Sequence, residues 1–102
     1  MTVIEVRQVP EAGRFVALVD GEPAGFTRYV ERGGRRVFVH TEIDDAFAGH
    51  GVGNRLVADA LEATRRAGLR IVPVCPFVAA WLERHPGFED VVDLAVPQRE
   101  DR

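Results

Sequence analysis

The chain has a single cysteine, Cys75, among its 102 residues. That excludes an internal disulfide and any multi-cysteine zinc site, and no metal is expected. Positive charge is also short: 13 basic side chains stand against 16 acidic ones, a net charge of -3. Binding to nucleic acid through phosphate contacts needs a basic face, so no nucleic-acid partner is expected. Long apolar runs are missing. Nothing approaches the roughly 20 residues of a membrane span, and Glu5 and Arg7 interrupt the start before a secretory core could form. Repeats, linkers and low-complexity tracts are lacking as well. These absences point to a cytoplasmic protein without a membrane partner. What is present is an ordinary globular balance, 46% hydrophobic and 28% charged. The length suits one domain. Residues 1–96 are expected to form it, followed by a polar tail at 97–102 that frays.

The first part of the chain reads as strands. Val3 to Gln8 alternates and ends at Pro10 and Gly13. Arg14 to Asp20 carries the apolar run Phe15-Val16-Ala17-Leu18-Val19. Asp20-Gly21 and Gly33-Gly34 are hairpin turn signals on either side of Pro23 to Arg32. Arg35 to Ile43 alternates, which predicts Val37, Val39, Thr41 and Ile43 on one face and Phe38, His40 and Glu42 on the other. At Ala48-Gly49-His50-Gly51-Val52-Gly53 the period changes. Val52, Leu56, Val57, Ala60, Leu61 and Thr64 recur at helical spacing, with Arg65 and Arg66 in the last turn and Gly68 as the cap. Leu69 to Val74 follows as a strand containing Pro73. Pro76 suits the first turn of a helix that runs to Arg84 and stops at His85-Pro86-Gly87. Phe88 to Leu94 is a last short strand or extended segment. The fold class is α/β in the α+β sense: an antiparallel meander, a helix, a fifth strand parallel to the fourth, and a C-terminal helix.

The strand, glycine-rich loop and helix make an anion site physically reasonable. A helix N-terminus exposes unpaired N–H groups and partial positive charge, and glycine lets an anion approach the backbone. A phosphate or pyrophosphate at Gly49 to Gly53 is one reading, and a plain flexible connection is the other. A P-loop is excluded, because Asn54-Arg55 stand where lysine and Ser/Thr are required. A dinucleotide fingerprint fits poorly, because the preceding strand belongs to a meander and the glycine spacing differs.

Gly51-Val52-Gly53 at a helix start after an antiparallel strand resembles the acetyl-CoA pyrophosphate loop of the GNAT superfamily of N-acetyltransferases. The run from His40-Thr41-Glu42 through that loop to Cys75-Pro76-Phe77-Val78 and His85-Pro86 is similar to a minimal, single-domain GNAT-like subfamily. The resemblance covers about Phe38 to Val91. It implies a small GNAT-like fold and an acetyl-CoA-dependent N-acetyltransferase, with CoA as cofactor, held by Gly49, His50, Gly51, Val52, Gly53 and Asn54 and by the end of the fourth strand at Ile43. The motif position that usually holds Gln or Arg is Ala48 here, so the backbone donors stay and His50 is the side chain that could stand in.

The resemblance further implies that an amine attacks the thioester in a wedge between the fourth and fifth strands, where a proline fits the splay. Cys75 is then a candidate nucleophile or acid for the CoA thiolate, or a buried small side chain. His40 and Glu42 are candidate general bases, or surface residues. Asp44 and Asp45 read as turn residues that could attract a cationic amine, Phe77 and Trp81 as core, and Arg55, Arg66 and Arg84 as solvated, or else as partners of the CoA phosphates. Full-length relatives roof the acceptor site with two helices between the first strands. Val9 to Gly13 is too short for that. The acceptor side is therefore expected to be open, suiting a protein side chain, a terminus or a polyamine. A non-catalytic CoA- or acyl-CoA-binding module is the alternative, and an interaction protein whose loop binds nothing is a third.

Overall fold

A computed structural model of the chain describes residues 2–94; the segment read as a polar tail lies outside them. The period-two segments form β1 (Ile4–Val9), β2 (Arg14–Val19), β3 (Glu22–Arg32) and β4 (Arg35–Ile43). Each pairs antiparallel with the next, and β5 (Arg70–Pro73) adds parallel to β4, giving the order β1-β2-β3-β4-β5. Helix α1 (Val52–Arg66) crosses from β4 to β5, and α2 (Pro76–Arg84) follows. The Asp20-Gly21 and Gly33-Gly34 turns have positive φ at both residues, the backbone that joins right-twisted strands. Pro10–Ala12 is a single 3-10 turn that Gly13 closes, so no α-helix stands between β1 and β2.

One face of the sheet holds Phe15, Ala17, Val19, Tyr29 and Phe38. Against it pack Leu56, Val57, Ala60 and Leu61 of α1 and Val78 and Trp81 of α2, in one contiguous core. Burying each large side chain there contributes about 1.5–3 kcal/mol, so the helices are held mainly by their apolar stripes. Arg36 also lies on this face, nearly sealed from solvent. Its guanidinium sits over Tyr29 and is hydrogen-bonded to Glu31 and to Thr64 of α1, so its buried charge is satisfied.

The strict alternation expected along β4 does not hold. Arg28 pairs with His40 but Tyr29 pairs with Phe38, leaving Val39 as an extra residue in a bulge. Before the bulge Arg36 and Phe38 point to the helices; after it Thr41 does, with His40 and Glu42 exposed on the other face. Phe38 and Thr41 therefore share the helix face, contrary to the sequence reading.

The last segment, Phe88 to Leu94, is also less regular than expected. It contributes one bridge, Val92 beside Ile71, in place of a full strand. Asp93 joins it to the sheet through ion pairs with Arg35 and Arg70. These side chains hold its carboxyl below the usual carboxylate range, Arg70 contributing most and Arg35 next.

Candidate functional site at the open end of β4 and β5

The β4–β5 pairing runs only from Arg35 with Arg70 to Phe38 with Pro73. The Cys75 N–H then donates to the Phe38 carbonyl at 2.8 Å, and the chain turns away into α2. On its other side β4 stays paired with β3 as far as Ile43. Between Val39 and Ile43, the edge of β4 facing away from β3 consequently has no strand partner among the described residues. Pro73 lies at the parting and brings no N–H to extend the ladder. The two strands therefore diverge from a root at Phe38, Val39 and Cys75, and the cleft is this divergence.

Cys75 is buried at this root, 3% exposed. Its thiol donates to the Thr41 hydroxyl at 3.4 Å, and Thr41 is 2.9 Å from the hydroxyl of the fully buried Thr27. Sequence reasoning missed both threonines. Thr41 reaches Cys75 only because the bulge turned it to the helix face, and a bulge leaves no mark in residue spacing. His40 and Glu42 do come together, Nε2 to Oε2 at 2.8 Å, but both are exposed on the opposite face from Cys75. The three candidate catalytic residues thus form two groups, one on each side of β4.

The glycine-rich loop lies beside the Ile43 end of β4, where Gly53 approaches Ile43. Gly49 and Gly51 have φ near +80°, and the space where their Cβ atoms would stand is open. Gly51 is the N-cap of α1, with no side-chain cap and no acidic residue in the first turn. The N–H groups of Val52, Gly53 and Asn54 precede the first intrahelical bond, which Arg55 makes to Gly51. An anion fits these donors. His50 is exposed beside them. Gly53 is a glycine for a different reason: a Cβ there would meet Phe77 Cζ at 2.7 Å and lie 3.5 Å from Ile43 Cγ1. Phe77 is 42% exposed and borders the cleft, so the expectation that it is core does not hold, whereas Trp81 is buried. The Asn54 side chain accepts a hydrogen bond from the Trp81 indole at 2.8 Å, pinning α2 to the start of α1. Asp44 caps the short turn after β4 by accepting from the Ala46 N–H.

A family model described as GCN5-related N-acetyl-transferase matches residues 14–91. That span holds four of the strands, the loop, both helices and the cleft. The chain belongs to the GCN5-related N-acetyltransferases. The fold agrees: the NMR solution structure of a GCN5-like protein from Staphylococcus aureus superposes with a TM-score of 0.69 at 22% identity, covering 100% of each chain. A search of curated proteins gives no match. Family membership brings acetyl transfer as the general activity and CoA as the general ligand. Among the described residues, no helix is long and apolar enough to cross a membrane.

Proposed function

We propose that this GCN5-related protein transfers an acetyl group from acetyl-CoA to an amine that enters from the open face of the sheet. The observation that carries this reading is the uncapped, glycine-started N-terminus of α1, set at the mouth of a cleft whose root holds Cys75. The backbone of Gly51 to Asn54 binds the pyrophosphate, with Gly49 shaping the loop and His50 beside it. The unpaired edge of β4 from Val39 to Ile43 lines the path of the pantetheine arm. Acetyl-CoA supplies the activated acyl group.

Placing the polar groups on both sides of β4 divides the proton work. On the exposed face, the His40–Glu42 pair takes the proton that the amine must lose. At the buried root, Cys75 gives a proton to the sulfur that leaves as the C–S bond breaks and the C–N bond forms, and Thr41 keeps that thiol oriented. A covalent variant, with acetyl carried on the Cys75 sulfur, uses the same contacts.

Mass spectrometry separates the two routes. All 13 basic side chains are arginine, so acetyl gained by the protein cannot sit on a lysine. In the direct route, incubation with acetyl-CoA leaves Cys75 unmodified, and Cys75→Ser keeps part of the transfer rate. In the covalent route one acetyl appears on Cys75, and Cys75→Ala loses both adduct and transfer. Wild-type rates in Cys75→Ala remove both roles. CoA binding without transfer to any of a panel of amines would make the protein a non-catalytic CoA-binding module.

A further inference from the structure

The face of the sheet away from the helices carries a groove of about 460 Å³ beside the end of β4. Its floor includes Val16 and Phe26, its rim Glu42 and Asp44, and its wall Arg14. Ile43 borders it too, and the same side chain lies against Gly53 at the cleft, so groove and cleft meet across one residue.

The groove is electrically divided. The Arg14 guanidinium lies over the Phe26 ring, 4.3 Å from its centroid, and its Nε is buried with no hydrogen-bond partner among the described residues. Buried donors are paired in the great majority of cases, so this arginine stands apart from Arg36, whose nitrogens on the other face are bonded to Glu31 and Thr64. Glu42 and Asp44 each spend one oxygen inside the protein, on His40 and on the Ala46 N–H. Each carboxylate has a second oxygen with which to meet a cation.

We propose that this groove is the acceptor site and that it takes a bipolar amine. A primary ammonium sits against Glu42 and Asp44, an apolar body rests on Val16 and Phe26, and a carbonyl or carboxylate oxygen faces the Arg14 guanidinium. An apolar amino acid and the first residue of a peptide share that chemistry. A polyamine does not, because it offers nothing to Arg14. The assignment as acceptor site rests on the acetyl-transfer reading above; the ligand class rests on the groove alone.

Calorimetric titration of the whole chain with phenylalanylglycine, its N-acetylated form, free phenylalanine and spermidine tests it. Phenylalanylglycine is expected to bind, and its affinity to fall about tenfold or more in Arg14→Met and in Glu42→Gln, the scale of one charge-assisted hydrogen bond. Methionine keeps an apolar stem over Phe26, and an unchanged melting midpoint in either variant confirms the fold. The acetylated dipeptide and spermidine are expected to bind wild type at least about tenfold more weakly, for the same reason at each end. Free phenylalanine binding as tightly as the dipeptide assigns the site to free amino acids; weaker binding assigns it to peptide N-termini. Equal affinity in both variants, equal affinity of the blocked dipeptide or of spermidine, or no binding of either phenylalanyl amine overturns the proposal. Adding acetyl-CoA separates the two readings. A dipeptide that binds as expected, in a protein that acetylates neither it nor any other amine of the panel, sinks the transfer reading and keeps the ligand class. Acetylation indifferent to both substitutions keeps transfer and sinks the groove.

Discussion

The two halves of β4 belong to one strand and do different work. From Arg35 to Phe38 the strand has a neighbour on each side, and its inward side chains, Arg36 and Phe38, are sealed in the core. From Val39 to Ile43 one neighbour is gone, and polar groups replace the buried aromatic: Thr41 inward, His40 and Glu42 outward. A single extra residue at Val39 separates these regimes. The lesson is that the rigid half supplies the anchorage that lets the other half remain unpaired. An unpaired strand edge needs an occupant or solvent for its N–H and C=O groups, which is the condition of a binding site.

The comparison breaks most severely at Phe38. Truncation to alanine empties a fully buried site in the anchored half and should cost about 3–5 kcal/mol, a large part of the roughly 5–15 kcal/mol that holds a small domain together. Urea unfolding measures it. A loss below about 1 kcal/mol would mean that the core does not depend on this half.

A smaller effect is expected beside the open half. Gly51→Val forces a β-branched residue into a left-handed backbone, at about 1–2 kcal/mol. Gly53→Val drives a methyl group against the Phe77 ring. Both variants should stay folded and lose about tenfold or more in CoA affinity by titration calorimetry, because each disturbs the donors at the start of α1. Wild-type CoA affinity in both would remove that helix end as the anion site.

The least effect should come from Asp93, which ties the far edge of the anchored half to the last segment. Its folded pKa is lowered, first by Arg70 and then by Arg35. A depressed carboxylate adds stability that is present above its unfolded pKa and is lost as pH falls through the folded value. Asp93→Asn should therefore melt slightly below wild type at neutral pH, and the difference should shrink as acid protonates the wild-type side chain. Because the carboxylate is near solvent, added salt should also shrink it. A difference that grows in acid would contradict the linkage.

Much of this arrangement was legible in the residues. Hairpin turns at Asp20-Gly21 and Gly33-Gly34, the change of period at Val52, and Pro73 with Pro76 around a short strand placed β1 to β5 and both α-helices to within a residue or so, but not the two 3-10 turns or the irregular last segment. The glycine loop was legible because left-handed backbone at Gly49 and Gly51 demands that residue type. The sides of β4 were not. Side-chain alternation predicts a face only while pairing is regular, and the Val39 bulge inverted the faces beyond it. The same slip hid Thr41 from Cys75. Gly53 has a second reason to be glycine that spacing did not show, because Phe77 stands where its Cβ would be. The groove at Arg14 and Phe26 needed three strands in register before it existed.

The parallel pairing of β5 with β4 has a consequence for how the molecule assembles and comes apart. The strands of the meander are joined by short turns, while β5 reaches β4 across the whole length of α1. Closing the longer loop costs more chain entropy, and non-local pairing is correspondingly late. On loop-closure grounds the meander is expected to form first and the short β5 with α2 to join it later. The cleft lies along that seam, so a ligand held across it acts as a staple between the two folding units.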